Sequence, residues 1–229
     1  MINKRMNIFY YVLGGLVILL GLLMFRATRD IPLPSNAKKE GNMIHIDLSE
    51  GAINEAEKKE ALFKVSEKYK PHVTESSFYF YFKYPEGTPY TGYETPVPYN
   101  RVRVDLGHSI KPEALLSEYV LRKTQPKDGP LSTPWFLESK DGLNIYKYSY
   151  GGSELGTYFK FVTKEGKNIV IDDPGSWSRV YKVYTKLSSH MELDYLFNKN
   201  LVRGPAHFIE DVPLIDKAAL KLVQSFQSK

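Results

Sequence analysis

The sequence predicts an α+β domain, an antiparallel sheet with two or three helices, preceded by one N-terminal transmembrane helix. Three observations lead there: a charge-free stretch over residues 8–25, a succession of alternating apolar and polar runs joined by short turns, and stripes of apolar residues at helical spacing.

The first of these is Ile8 to Phe25, IFYYVLGGLVILLGLLMF. As a helix rising about 1.5 Å per residue it spans roughly 27 Å, which matches a bilayer core. Tyr10 and Tyr11 sit near one end, and Lys4, Arg5, Arg26 and Arg29 bracket the run. A cleaved signal peptide has a shorter apolar core and ends in small residues, whereas this run is followed by Phe25-Arg26-Ala27. The expectation is therefore an uncleaved signal anchor: residues 1–7 as a short cytoplasmic tail, 8–25 in the lipid bilayer, 26–41 as a tether and 42–229 as the soluble domain. Flanking charge alone does not set the orientation. A short basic tail before a large domain is the usual layout of a signal anchor, so a single-pass protein with its soluble domain outside the cytoplasm is expected.

Composition narrows the function. The chain has 229 residues, 42% hydrophobic and 25% charged, with no cysteine. That is a globular balance, and it removes thiolate nucleophiles, Cys-ligated zinc and iron–sulfur clusters. Of the 31 basic residues four precede residue 30, so 27 remain against 26 acidic ones and the soluble part carries +1. A nearly neutral domain lacks the clustered positive potential that nucleic acid requires.

Within the domain, Met43 to Leu48 alternates as a strand, and Glu55 to Tyr69 reads as a helix with Asn54 as its N-cap and Ala56, Ala61, Leu62, Val65 and Tyr69 on one stripe. Phe78, Phe80 and Phe82 alternate with Tyr79, Tyr81 and Lys83, a period of two that predicts a strand. Pro85 to Asn100, with four prolines and two glycines, precludes a regular element. Arg101 to Leu106 is a further strand and Pro112 to Lys123 a second helix. Strands follow over 135–139, 143–150, 157–163, 168–172, 179–187 and 191–197, and the tail from Pro213 to Phe226 is a helix with Leu214, Ala218, Leu222 and Phe226 near one stripe.

No chemical motif emerges. The histidines have no zinc-type spacing, and His45 with Asp47 on one strand face supplies too few ligands, so no metal, cofactor or catalytic residue is assigned. Asp172 and Asp173 are adjacent, so on a strand they point to opposite faces. Gly151 to Gly156 (GGSELG) places its second glycine one position late for a nucleophile elbow. The candidate partner-binding residues are Tyr90, Tyr93, Glu94 and Tyr99 in the proline-stiffened segment, and Trp177 in the turn Asp173 to Ser178. Tyrosine and tryptophan are enriched at interfaces, and a stiff segment loses less entropy on docking. These rings equally suit a role in covering the sheet.

Met191 to Phe197 (MELDYLF) and Ile215 to Phe226 (IDKAALKLVQSF) resemble the C-terminal part of the immunity proteins that protect bacteria from type VI secretion lipase effectors. The resemblance covers about 40 residues, with a longer connection here, Asn198 to Val212. It implies a non-catalytic protein at the periplasmic face of the inner membrane that blocks a secreted effector by covering its active site. The alternatives are an envelope assembly or scaffold protein, or an envelope hydrolase whose catalytic groups meet only in space.

Overall fold

A computed structural model describes residues 32–50, 52, 54–90, 92, 98–107, 134–150, 154–188 and 191–227. Among these, β1 (Ala37–Glu40), β2 (Met43–Asp47) and β3 (Leu62–Ser66) form a three-stranded sheet, with the helix α1 (Glu55–Glu60) between β2 and β3. The remaining strands are β4 (His72–Val73), β5 (Ser77–Lys83), β6 (Thr88–Pro89), β7 (Arg101–Gly107), β8 (Trp135–Lys140), β9 (Leu143–Tyr150), β10 (Glu154–Val162), β11 (Asn168–Asp173), β12 (Val180–Lys186) and β13 (Glu192–Asn198). They make a ten-stranded sheet in the order β4-β5-β7-β13-β12-β11-β10-β9-β8, with β6 also paired to β5. Every pairing is antiparallel. The chain closes with the helix α2 (Phe208–Phe226).

One face of the large sheet is the core. Phe78, Phe80 and Phe82 of β5, Val102, Val104 and Leu106 of β7, and Leu193, Tyr195 and Phe197 of β13 are all buried. Against them α2 lays Phe208, Val212, Ile215, Ala219, Val223 and Phe226, spaced by three or four residues as one helix face requires. Phe226 meets Phe80 edge-on at 5.3 Å, and Phe208 meets Tyr181 and Phe159 at 5.0 and 5.1 Å. The small sheet joins the same core through Ile44, Ile46, Phe63 and Val65, with Phe63 edge-on to Phe78 at 5.1 Å. Both ends of α2 are held. Arg203 donates from Nη2 to Asp211 Oδ1 at 2.6 Å beside the first turn, and beyond the last turn Gln227 Nε2 donates to the Glu60 carbonyl at 2.9 Å.

Several expectations change. The α+β class with two or three helices gives way to a mostly antiparallel β fold with one long C-terminal helix among the described residues. The expected transmembrane helix over 8–25 and the helix over 112–123 lie outside those residues, within which no helix is long and apolar enough to cross a membrane. The helix expected over Glu55–Tyr69 stops at Glu60. Asn54 does cap it, accepting from the Glu57 amide at 3.0 Å. Ala61, Phe63 and Val65 then alternate inward, and pairing with β2 draws this stretch into β3. Residues 37–40, read as linker, form β1, whose Lys and Glu side chains give no apolar signal. The last helix begins at Phe208 rather than Pro213, because Phe208 and Val212 extend its buried stripe by a turn and a half.

Candidate binding surface

The outer face of the large sheet begins one residue out of phase with the core. Strand register places Tyr81, Arg103, Leu196 and Lys182 in one row across β5, β7, β13 and β12, and Tyr79, Asp105, Asp194 and Tyr184 in the next. The first row continues to Asp172 on β11 and Tyr158 on β10. This face is built from tyrosine, arginine and aspartate.

At its centre carboxylates crowd together. Asp105 and Asp194 are direct cross-strand partners, an arrangement that costs stability unless cations intervene. Arg103 donates to Asp105 Oδ1 from Nη2 at 2.6 Å and from Nε at 3.1 Å, and its guanidinium lies 3.9 Å from the Tyr79 ring centre. Lys182 Nζ reaches Asp194 Oδ2 at 3.2 Å and lies 4.5 Å from the Tyr184 ring. Asp194 is only 8% exposed, and its Oδ1 has no hydrogen-bond partner. Burial raises its carboxyl to about 6, against the pull of Lys182. Asp172 is likewise raised by burial to about 6, although the Tyr148 hydroxyl donates to its Oδ1 at 2.6 Å. Tyr148 stacks on Tyr158 at 4.6 Å and lies across Gly156, where a Cβ would overlap its ring.

Two neighbouring concavities mark this face. The larger, about 500 Å³, is lined by Asp105, Glu192 and Asp194 with Lys182 and Arg103. The smaller, about 350 Å³, is lined by Arg101, Arg103 and Arg179 with Tyr81, Tyr99 and Leu196. Arg101 stands over both the Tyr81 and Tyr90 rings, at 4.9 and 5.2 Å. The face is thus acidic in one hollow and basic in the next.

The sequence-derived candidates divide. Tyr99 is 66% exposed on the rim of the smaller hollow. Trp177 is 55% exposed in the turn two residues before Arg179. Tyr90 is 5% exposed, edge-on to Tyr81 at 6.1 Å, so it is a support for Arg101 rather than a contact residue. Tyr93 and Glu94 lie outside the described residues. Sequence reading missed Arg101, Arg103, Arg179, Asp105 and Asp194. Arg101, Arg103, Asp105 and Asp194 occupy the off-phase half of the alternation in RVRVDLG and ELDYLFN, and Arg179 lies one residue before β12, where no motif marks it.

Other polar readings resolve locally. His45 Nε2 lies 3.4 Å from Glu40 Oε2, while the Asp47 carboxylate accepts from the Ser49 amide, so the two serve different partners. No group of three potential metal ligands occurs among the described residues. Asp173 takes Lys199 and the Gly175 amide, whereas Asp172 takes Tyr148.

No family model matches the chain, and no curated protein matches it. Among solved structures it is similar to Smlt3025, an immunity protein of the Stenotrophomonas maltophilia type IV secretion system, at 12% identity over 84% of this chain and 93% of that one, with a TM-score of 0.44. That likeness extends far beyond the C-terminal segment behind the sequence resemblance, and the system named is type IV where the resemblance implied type VI.

Proposed function

We propose that this chain is a non-catalytic binding protein that neutralises a secreted effector by covering it, held by residues 8–25 at the periplasmic face of a bacterial inner membrane. The observation that carries the reading is the outer sheet face, where exposed Tyr99 and Trp177 stand at the end of the sheet that carries Arg101 and Arg179. Aromatic and arginine side chains dominate the energetics of protein interfaces, because large rigid rings and planar guanidinium forks lose little entropy on docking. The resemblance of residues 191–197 and 215–226 to immunity proteins gives the kind of partner. Tethering confines such a blocker to a thin layer and raises its effective concentration where the effector arrives.

The test is protection. Producing the full chain together with the product of the adjoining reading frame, directed to the periplasm, is expected to restore growth that the product alone arrests. A product that does not arrest growth, or arrest that the chain fails to relieve, overturns the reading. Location is tested separately by adding protease to spheroplasts: digestion of the domain is expected, and a domain that is cleaved only after lysis overturns the periplasmic placement.

A further inference from the structure

The two hollows differ in what they leave unpaired. In the larger, each cation has a carboxylate, Lys182 meeting Asp194 and Arg103 meeting Asp105, and Glu192 adds a third acid to the lining. In the smaller, no carboxylate among the described residues pairs with Arg101 or Arg179. Arg101 is held in place by two rings, one of them the buried Tyr90, so its guanidinium stands on a rigid platform. The backbone beside Arg179 is fixed as well, since its carbonyl accepts from the Lys199 amide at 2.9 Å. Val180 and Leu196 add an apolar lining, and Tyr99 stands exposed at the rim.

We propose that the hollow between Arg101, Arg179 and Tyr99 receives an Asp or Glu side chain presented by the protein partner. This rests on the binding-protein reading above and adds the chemistry of its contact. A guanidinium fork matches a carboxylate with two parallel hydrogen bonds, and a preorganised fork loses less entropy in making them. The occupant is a protein carboxylate rather than a polyanion because of the neighbouring hollow. Asp105, Glu192 and Asp194 lie immediately beyond Arg103, and they repel an extended polyphosphate or an anionic membrane while accepting a protein surface of mixed sign.

The probe is the single-carboxylate peptide N-acetyl-Ala-Glu-Ala amide, titrated into the full chain in neutral detergent while the arginine side-chain Nε–Hε resonances are followed by NMR. The Arg101 and Arg179 signals are expected to move together with one saturation curve. Arg179→Glu is expected to weaken binding about tenfold or more, the factor that follows from losing one charge-assisted pair. Arg179 is exposed and separates binding from folding, whereas Arg101→Glu also disturbs the Tyr81 and Tyr90 stack. Asp194→Asn, which removes a neighbouring negative charge, is expected to strengthen binding. Unchanged affinity in Arg179→Glu overturns the proposal, as does movement of the same signals by inorganic phosphate or phosphatidylglycerol vesicles at lower concentration than the peptide. Either result leaves growth protection by the full chain as a separate measurement, so this proposal can fail while the function stands.

Discussion

On β5 and β7 the inward residues are Phe78, Phe80, Phe82, Val102, Val104 and Leu106, and the outward ones are Tyr79, Tyr81, Arg101, Arg103 and Asp105. The same strands therefore carry two chemistries, separated by one residue of phase. The inward set is apolar and sealed by α2 and the small sheet. The outward set keeps its aromatic rings but gives each a polar tip or a neighbouring cation. The difference teaches where the free energy lies: burial of the inner rings stabilises the fold, while the outer face tolerates crowded carboxylates that a purely structural surface would shed.

The sharpest way to break this contrast is to truncate matched rings. Phe80→Ala is expected to lose about 3–5 kcal/mol in urea unfolding, since it empties space beneath Phe226, whereas Tyr81→Ala on the opposite face is expected to lose much less. Equal losses would mean that the outer face is as much a core as the inner. The next effect belongs to a largely buried ion pair between α2 and a sheet turn. Lys167 Nζ reaches both carboxylate oxygens of Asp216, at 2.8 and 3.0 Å, and burial pushes that carboxyl upward. Lys167→Ala strands the charge and is expected to cost about 3 kcal/mol by the same assay, with the double variant Lys167→Met, Asp216→Leu recovering most of it.

The pH dependence should be smaller and opposite in sign for two groups of acids. Asp172 and Asp194 titrate near 6 in the fold, above the ordinary aspartate value, so they bind more protons folded than unfolded. The stability they contribute is complete below the unfolded pKa near 4 and is lost as pH rises through about 6. Asp172→Asn and Asp194→Asn are therefore expected to raise Tm by a few degrees at pH 8 and by less at pH 4.5, measured by thermal melts. Glu210 and Asp211, lowered by their hydrogen bonds to Arg203, behave conversely. Their contribution is present above the unfolded pKa and lost as pH falls. The smallest effect on stability is expected at the rim: Tyr99→Ala and Trp177→Ala should each change unfolding free energy by within about 0.5 kcal/mol while reducing growth protection. A large loss of stability in either would reassign it to the fold.

Much of the large sheet was legible in the chain, because alternation survives wherever one face is buried. Phe78, Phe80 and Phe82 could not serve a helix. The small sheet was less so. The stretch Ala61 to Val65 satisfies a helical stripe and an alternating one alike, and only its pairing with β2 decides between them. In β1 the sequence AKKE is an edge protected by charge, and such an edge hides its own strand. The binding surface was half legible. Exposed Tyr99 and Trp177 stood out by residue type, but the arginines they accompany come from β7 and the start of β12, and no local spacing brings Arg101 to Arg179. Tyr90 misled for the same reason, since the cation that stands over it lies eleven residues along the chain. Gly156 stood one residue outside the strand expected over 157–163, and the structure places it inside β10, where the missing Cβ leaves room for the Tyr148 ring.

Strand β7 changes sign once along its length, from Arg101 and Arg103 to Asp105. Any molecule lying on this face meets a polarity as well as a charge, and turned end for end it would set like against like. Exchanging two side chains at the surface would reverse that preference and leave Val102, Val104 and Leu106 untouched beneath. Descendants of one ancestral fold could in this way part company over whom they recognise without renegotiating how they hold together.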